Sequence, residues 1–236
     1  MKRTEKRTEK RTEKRTEKRT RTPGAVLFDL DGTLIDTIEL LLESMRHAFA
    51  EHPGARPTTA EWTAGIGTPL ISQFRPFAAD EVELQGLVDR YRRFQRTNHD
   101  RLTRCYPGVP AVVSKLARAG HPLAVVTSKA DDLANRSLEY VGLADFFGVV
   151  VGVDSTTRHK PDPEPVRYAI ERLGADRARA IFVGDSPHDV RAGNAAGVST
   201  VAALWGAFTR EALAEAAPKH FLNDITGLEG LLAAAY

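Results

Sequence analysis

The run Val26-Leu27-Phe28-Asp29-Leu30-Asp31-Gly32-Thr33 closes an apolar stretch with two carboxylates at positions i and i+2. In a strand these two side chains point to the same side. Two acids at the end of a buried strand are costly unless a cation or a reaction uses them. The pair suits a nucleophilic carboxylate and a general acid/base gathered around one Mg²⁺. A calcium loop is the competing reading of Asp-x-Asp-Gly, and it needs an acid at its twelfth position. Counted from Asp29 that position is Leu40, so the calcium reading fails.

Three further stations carry chemistry. Thr127-Ser128-Lys129 follows the apolar run Leu123–Val126 and offers hydroxyls that can donate to a phosphoryl oxygen. Lys160 precedes Pro161-Asp162-Pro163 at the start of a helix, which can hold its cation in one direction. Gly184-Asp185-Ser186-Pro187-His188-Asp189 is a second strand ending in acids, with Asp185 as the natural second carboxylate for Mg²⁺ and Asp189 in support. The seven histidines show no metal-ligand pairing; His159 and His188 are notable only for flanking stations.

The elements that must position these groups alternate. Strand signals fall at 25–29, 121–127, 147–151, 180–185 and 199–203, with amphipathic segments at about 107–119, 131–141, 163–173, 188–196 and 209–217. Near-continuous apolar strands between helices predict a doubly wound α/β domain with a parallel sheet, its ligands at the carboxyl ends of the strands. From 37 to 104 the alternation stops. Apolar residues recur there at helical spacing (Ile38, Leu41, Leu42, Met45, Phe49, then Val82 to Phe94), which predicts an all-helical insert able to close over the site.

The expected organisation is a tail at 1–22, a core built from 23–36 and 105–236, and a helical cap at 37–104. The tail repeats Lys-Arg-Thr-Glu four times and carries eleven basic and four acidic residues, leaving 22 basic and 27 acidic residues for the rest. Without apolar residues it has nothing to bury, so disorder is expected. Interleaved glutamates and missing aromatics favour a tandem duplication over a nucleic-acid-binding arm. No apolar run approaches a membrane span, no apolar stretch follows the charged start, and the single Cys105 fits a reducing compartment. A cytoplasmic monomer or homodimer without membrane or specific nucleic-acid partner is expected.

In its set of four stations the chain resembles the haloacid dehalogenase superfamily with an α-helical cap. Asp29-Leu-Asp-Gly-Thr matches the first motif, Thr127 the second, Lys160 the third and Gly184-Asp185-x-x-x-Asp189 the fourth. The resemblance covers about 25–236. It implies attack by Asp29 on phosphorus, an aspartyl-phosphate intermediate, and Asp31 as acid and then base. It also implies Mg²⁺ held by Asp29, the Asp31 backbone carbonyl and Asp185, with Thr127, Ser128 and Lys160 on the phosphoryl oxygens. An acid at position 31 favours an oxygen leaving group over a halide, and the absence of lysine from 36–104 argues against phosphonate cleavage.

Substrate choice is expected in the cap, at Gly65-Ile66-Gly67-Thr68-Pro69-Leu70, Arg75 and Asn98-His99-Asp100. The glycine run resembles phosphoglycolate phosphatases, whereas Asn98-His99-Asp100 and His188-Asp189 resemble the pyrophosphatase branch. The leading expectation is a phosphohydrolase for a small phosphorylated metabolite of the phosphoglycolate type. Inorganic pyrophosphatase is the alternative; a sugar phosphomutase or a non-catalytic binding protein ranks lower.

Overall fold

The computed structural model describes residues 23–235 of the 236-residue chain. The Lys-Arg-Thr-Glu tail lies outside the described residues. In chain order the strands are β1 (Val26–Phe28), β2 (Ile35–Asp36), β3 (Arg104–Cys105), β4 (Leu123–Val126), β5 (Val149–Val151), β6 (Ile181–Gly184), β7 (Ser199–Ala203) and β8 (His220–Leu222). The α-helices are α1 (Ile38–Ala48), α2 (Thr59–Gly65), α3 (Leu70–Phe74), α4 (Glu81–Asn98), α5 (Val109–Arg118), α6 (Asp131–Tyr140), α7 (Glu164–Leu173), α8 (Pro187–Ala196), α9 (Arg210–Ala214) and α10 (Gly227–Ala235).

Six strands form one parallel sheet in the order β5-β4-β1-β6-β7-β8. The central strand explains the arrangement. Val26 and Phe28 face one apolar layer with α5, α6 and α10, while Leu27 faces the other with α7 and α8. A strand buried on both faces needs apolar residues at every position, which is why alternation is missing from its sequence. The chain winds outward from β1 through β4 to β5, then returns to β6 on the other side. That reversal opens a crevice at the carboxyl end of β1, where Asp29 begins the loop.

The helical insert leaves through β2 and returns through β3. These two crossing segments pair antiparallel, Ile35 with Cys105 and Asp36 with Arg104. Ile35 therefore belongs to a strand, and α1 starts at Ile38, the first apolar residue of its helical spacing. Short elements of this kind carry too few residues to show a period, which also hides β8. Within the insert, α1 and α4 pack with α2 and α3 around Phe49, Trp62, Phe74 and Tyr91. Ring centroids lie 4.9 Å apart for Trp62–Phe74 and 5.4 Å for Phe49–Phe74. Asp80 starts α4 by accepting from the Glu83 N–H at 2.8 Å, and Thr58 with Glu61 forms a reciprocal cap on α2. Among the described residues, no helix is long and apolar enough to cross a membrane.

Phe74 is fully buried at the centre of the aromatic cluster. Phe74→Ala is expected to lower the unfolding free energy by about 3–5 kcal/mol in a urea titration followed by circular dichroism, because the neighbouring rings cannot collapse into the space.

Candidate active site

The four stations meet at the carboxyl ends of β1, β4 and β6. Asp29 follows β1 and is 3% exposed; its N–H donates to the Val183 carbonyl of β6, which fixes the loop. Lys160 is 2% exposed and donates from Nζ to Asp29 Oδ1 at 2.9 Å, to Asp189 Oδ1 at 2.6 Å and to the Val126 carbonyl at 3.2 Å. Burial opposes its charge, but Asp189 and Asp29 outweigh burial and hold the ammonium above the usual lysine range.

Asp29, Asp185 and Asp189 bring carboxylate oxygens within 4.8 Å of one another. Asp189 is already engaged on both oxygens. Its Oδ2 accepts from the Ser186 N–H at 3.0 Å and hydroxyl at 2.6 Å, a capping box that starts α8, while Oδ1 takes Lys160. Asp185 accepts from the Thr33 hydroxyl and the Ala207 N–H, each at 3.0 Å. Burial, then repulsion from Asp189, pushes its carboxyl up to about 7 against those two hydrogen bonds. Asp29 is likewise pushed well up, first by burial and then by Asp189. Three buried acids therefore face one buried ammonium, a deficit of positive charge that a hard, oxygen-preferring divalent cation would relieve. Gly32 sits in this gap at φ 86°, and any side chain there would collide with the Asp185 carboxylate.

Asp31 points elsewhere. Its carboxylate accepts from Lys129 Nζ at 2.7 and 3.0 Å and from the Thr37 hydroxyl at 2.6 Å. Asp29 and Asp31 both open into a cavity of about 420 Å³ between the sheet end and the helical insert. Lys129 is thus a site residue that the sequence reading passed over, although it directly follows the hydroxyls of the second station. Tyr91, Arg92 and Gln95 of α4 also line the cavity and were not singled out; only the register of α4 against the sheet reveals them.

The structure redistributes the remaining candidates. Thr127 lines the cavity, as does Ser128, but the Ser128 hydroxyl donates to the Gly67 carbonyl at 2.6 Å. Its proton is used to hold the insert against the core rather than offered to a phosphoryl group. Gly67 lines the cavity at φ 95°, and a Cβ there would come within 2.8 Å of Ser186 Oγ. Gly65 does not reach the cavity; its carbonyl accepts from the Thr68 N–H and hydroxyl in a tight turn. Arg75 is exposed and paired with Glu81, away from the cavity. His99 is 1% exposed and outside the cavity lining. It bonds Ser137 of α6 at 2.8 Å and Asp100 at 2.7 Å, joining the end of α4 to the core. Asp100 is held below the usual carboxylate range, chiefly by its hydrogen bond with His99. His188 reaches the Ala64 carbonyl at 3.4 Å, and burial lowers its imidazole below the usual range.

The sequence profile of the haloacid dehalogenase-like hydrolases matches residues 26–203. Among curated proteins, the chain is 38% identical over 204 residues to a pyrophosphatase PpaX of Bacillus velezensis, covering 86% of this chain and 94% of that protein. It is 35% identical over 213 residues to the pyrophosphatase PpaX of Bacillus pumilus, covering 90% and 98%. Among solved structures, a predicted phosphatase from Clostridium acetobutylicum superposes with a TM-score of 0.79 at 27% identity, covering 90% of this chain and 99% of that one. A predicted phosphoglycolate phosphatase from Haemophilus somnus has a TM-score of 0.80 at 24% identity, with the same coverage, which shows a shared fold. The four motifs, the parallel sheet that gathers them and the profile match agree: this chain belongs to the haloacid dehalogenase-like hydrolases and is a phosphatase of that family.

Proposed function

We propose that the protein is a Mg²⁺-dependent phosphohydrolase that turns over a small phosphorylated compound through an aspartyl-phosphate on Asp29. The observation that carries this reading is the floor of the cavity. There the Asp29 carboxylate is held by Lys160 beside Asp185, with Asp31 opening into the same space. An Asp29 oxygen bonds to phosphorus as the bond to the leaving oxygen breaks, and Asp31 gives that oxygen its proton. Asp31 then takes a proton from water, whose oxygen attacks phosphorus and frees Asp29. Thr127 and Lys160 bind phosphoryl oxygens. Lys129, now on Asp31, lines the same cavity, where an incoming phosphoryl anion would compete for it.

Mg²⁺ would be held by Asp29, Asp185 and the Asp31 backbone carbonyl, a donor set of hard oxygens that fits it. Asp189 acts through Lys160 and Ser186, since both of its oxygens are engaged. Bound there, the ion would neutralise negative charge as it spreads over the phosphoryl group. The helical insert serves as the cap, docked through Ser128–Gly67 and His188–Ala64.

Pyrophosphate is the first substrate of this reading, supported by relatives at 35–38% identity that bear the name pyrophosphatase. Phosphoglycolate is the second, supported by the Gly65–Leu70 run, of which residues 66–70 line the cavity. A cytoplasmic setting is part of the same proposal.

Asp29→Asn is expected to lower turnover of either substrate by at least about 10³-fold while circular dichroism stays unchanged, because the amide is a poor nucleophile. Retained turnover in purified protein would sink the covalent route. The second expectation concerns pH. The Asp185 carboxyl is raised in the folded state, so the fold holds an extra proton between its unfolded value near 3.8 and about 7. Stability is therefore highest below that window and falls as pH rises through it. Calorimetry of the metal-free protein should show Tm falling between about pH 4 and pH 7. Mg²⁺ should raise Tm more at the upper end, because it binds the ionised acids. Asp185→Asn should flatten the fall and reduce the response to Mg²⁺. A response to Mg²⁺ that is unchanged in that variant would remove Asp185 from the metal site.

A further inference from the structure

One face of α4 lines the same cavity as Asp29 and Asp31. Tyr91, Arg92 and Gln95 lie on it, at positions that share one face of a helix, and all three line the cavity. Tyr91 places this face. Its hydroxyl is pushed up first by burial and then by the charge of Asp31, so Asp31 lies near this face.

Arg92 is half-buried, lines the cavity and has no ion pair or hydrogen bond among the described residues. Arg90 donates to the Ala48 carbonyl at 2.9 Å and Arg96 pairs with Asp132 at 3.6 Å; Arg93, also without a side-chain partner among the described residues, is exposed and outside the cavity lining. The other cation of the lining, Lys129, is taken by Asp31. Gln95, one turn on from Arg92, is 5% exposed, and its amide has no hydrogen-bond partner among the described residues. A guanidinium residue and an amide residue that line one cavity without partners carry two polar groups whose bonds are left for what enters it.

We infer that Arg92, assisted by Gln95, is the specificity-determining contact for a negatively charged leaving group, binding its charge across the cavity from Asp29. This deepens the proposed function and rests on it. The inference is indifferent to whether the second anion is phosphate or carboxylate, because a guanidinium pairs with either through two parallel N–H donors. It excludes cationic leaving groups and gives no advantage to uncharged ones. It also explains how one cap accommodates the two substrate readings, since phosphate from pyrophosphate and glycolate from phosphoglycolate are both anionic leaving groups.

The test compares wild type, Arg92→Ala and Arg92→Lys, with Mg²⁺, on four compounds. Pyrophosphate and 2-phosphoglycolate have anionic leaving groups, 2-hydroxyethyl phosphate is the uncharged match of phosphoglycolate, and phosphoethanolamine carries a cation. In wild type, kcat/KM should rank the anionic compounds first and phosphoethanolamine last. In Arg92→Ala, kcat/KM on the anionic pair should fall about 10–100-fold, the worth of a charge-assisted hydrogen bond. It should fall far less on 2-hydroxyethyl phosphate and rise on phosphoethanolamine. Arg92→Lys should fall between wild type and Arg92→Ala on the anions, because it keeps the charge but not the fork. An equal loss on all four compounds, or no loss on the anions, overturns the inference while Asp29-dependent turnover leaves the phosphohydrolase reading standing. A wild type without Asp29-dependent turnover of any compound overturns both.

Discussion

The interaction on which the site depends is the buried bridge from Lys160 to Asp29 and Asp189. One ammonium, 2% exposed, lies between two carboxylates and leaves a third, Asp185, close by without a cation of its own. Burying charges is costly, and an unmatched buried charge costs most. The fold meets that cost with directed donors: the Ser186 cap on Asp189, and Thr33 and Ala207 on Asp185. What remains is a small shortage of positive charge confined to one spot. Burial first, and then repulsion among the acids, keeps the Asp29 and Asp185 carboxyls above their ordinary range, and the shortage makes the site receptive to a divalent cation.

The rest of the architecture holds this cluster rigid and closes it from water. β1 lies between β4 and β6, so Asp29, Thr127 and Asp185 emerge side by side from three neighbouring strands. The same strand reversal that opens the crevice lets the chain leave through β2 and return through β3, so the helical insert stands over the acids. Its grip on the core has two parts. His99, Asp100 and Tyr140 tie the end of α4 to α6. Gly67 and Ala64 meet Ser128 and His188 at the cavity itself.

Much of this was legible in the sequence, for a physical reason. Core strands covered on both faces must be apolar at every position, so β1, β4 and β6 stand out, and acids at their ends are conspicuous because hydrophobic burial makes them costly. The same logic brought Asp29, Asp185 and Asp189 forward, Lys160 stood out by its place before a proline-led helix start, and the structure gathers all four. Two-residue strands such as β2 and β3 carry no period, and β8 is half-exposed, so none of them has a comparable signature. Residues whose meaning comes only from packing were misplaced or missed. His99 and Arg75 looked like substrate contacts, yet one is a buried anchor and the other a surface ion pair. Ser128 looked like a phosphate ligand and instead holds the insert. Lys129 was passed over beside the hydroxyls of its station and Arg92 carried no signal, until the geometry put one on Asp31 and the other in the cavity lining.

The central claim is that Asp29 carries the phosphoryl group during turnover. The direct measurement is to mix the protein with Mg²⁺ and pyrophosphate or phosphoglycolate, quench in acid within one turnover, digest, and locate added phosphate by mass spectrometry. The account predicts one phosphoryl group on the peptide containing Asp29, absent when Mg²⁺ is withheld. Full turnover with unmodified Asp29, or a phosphoryl group on another residue, would contradict it.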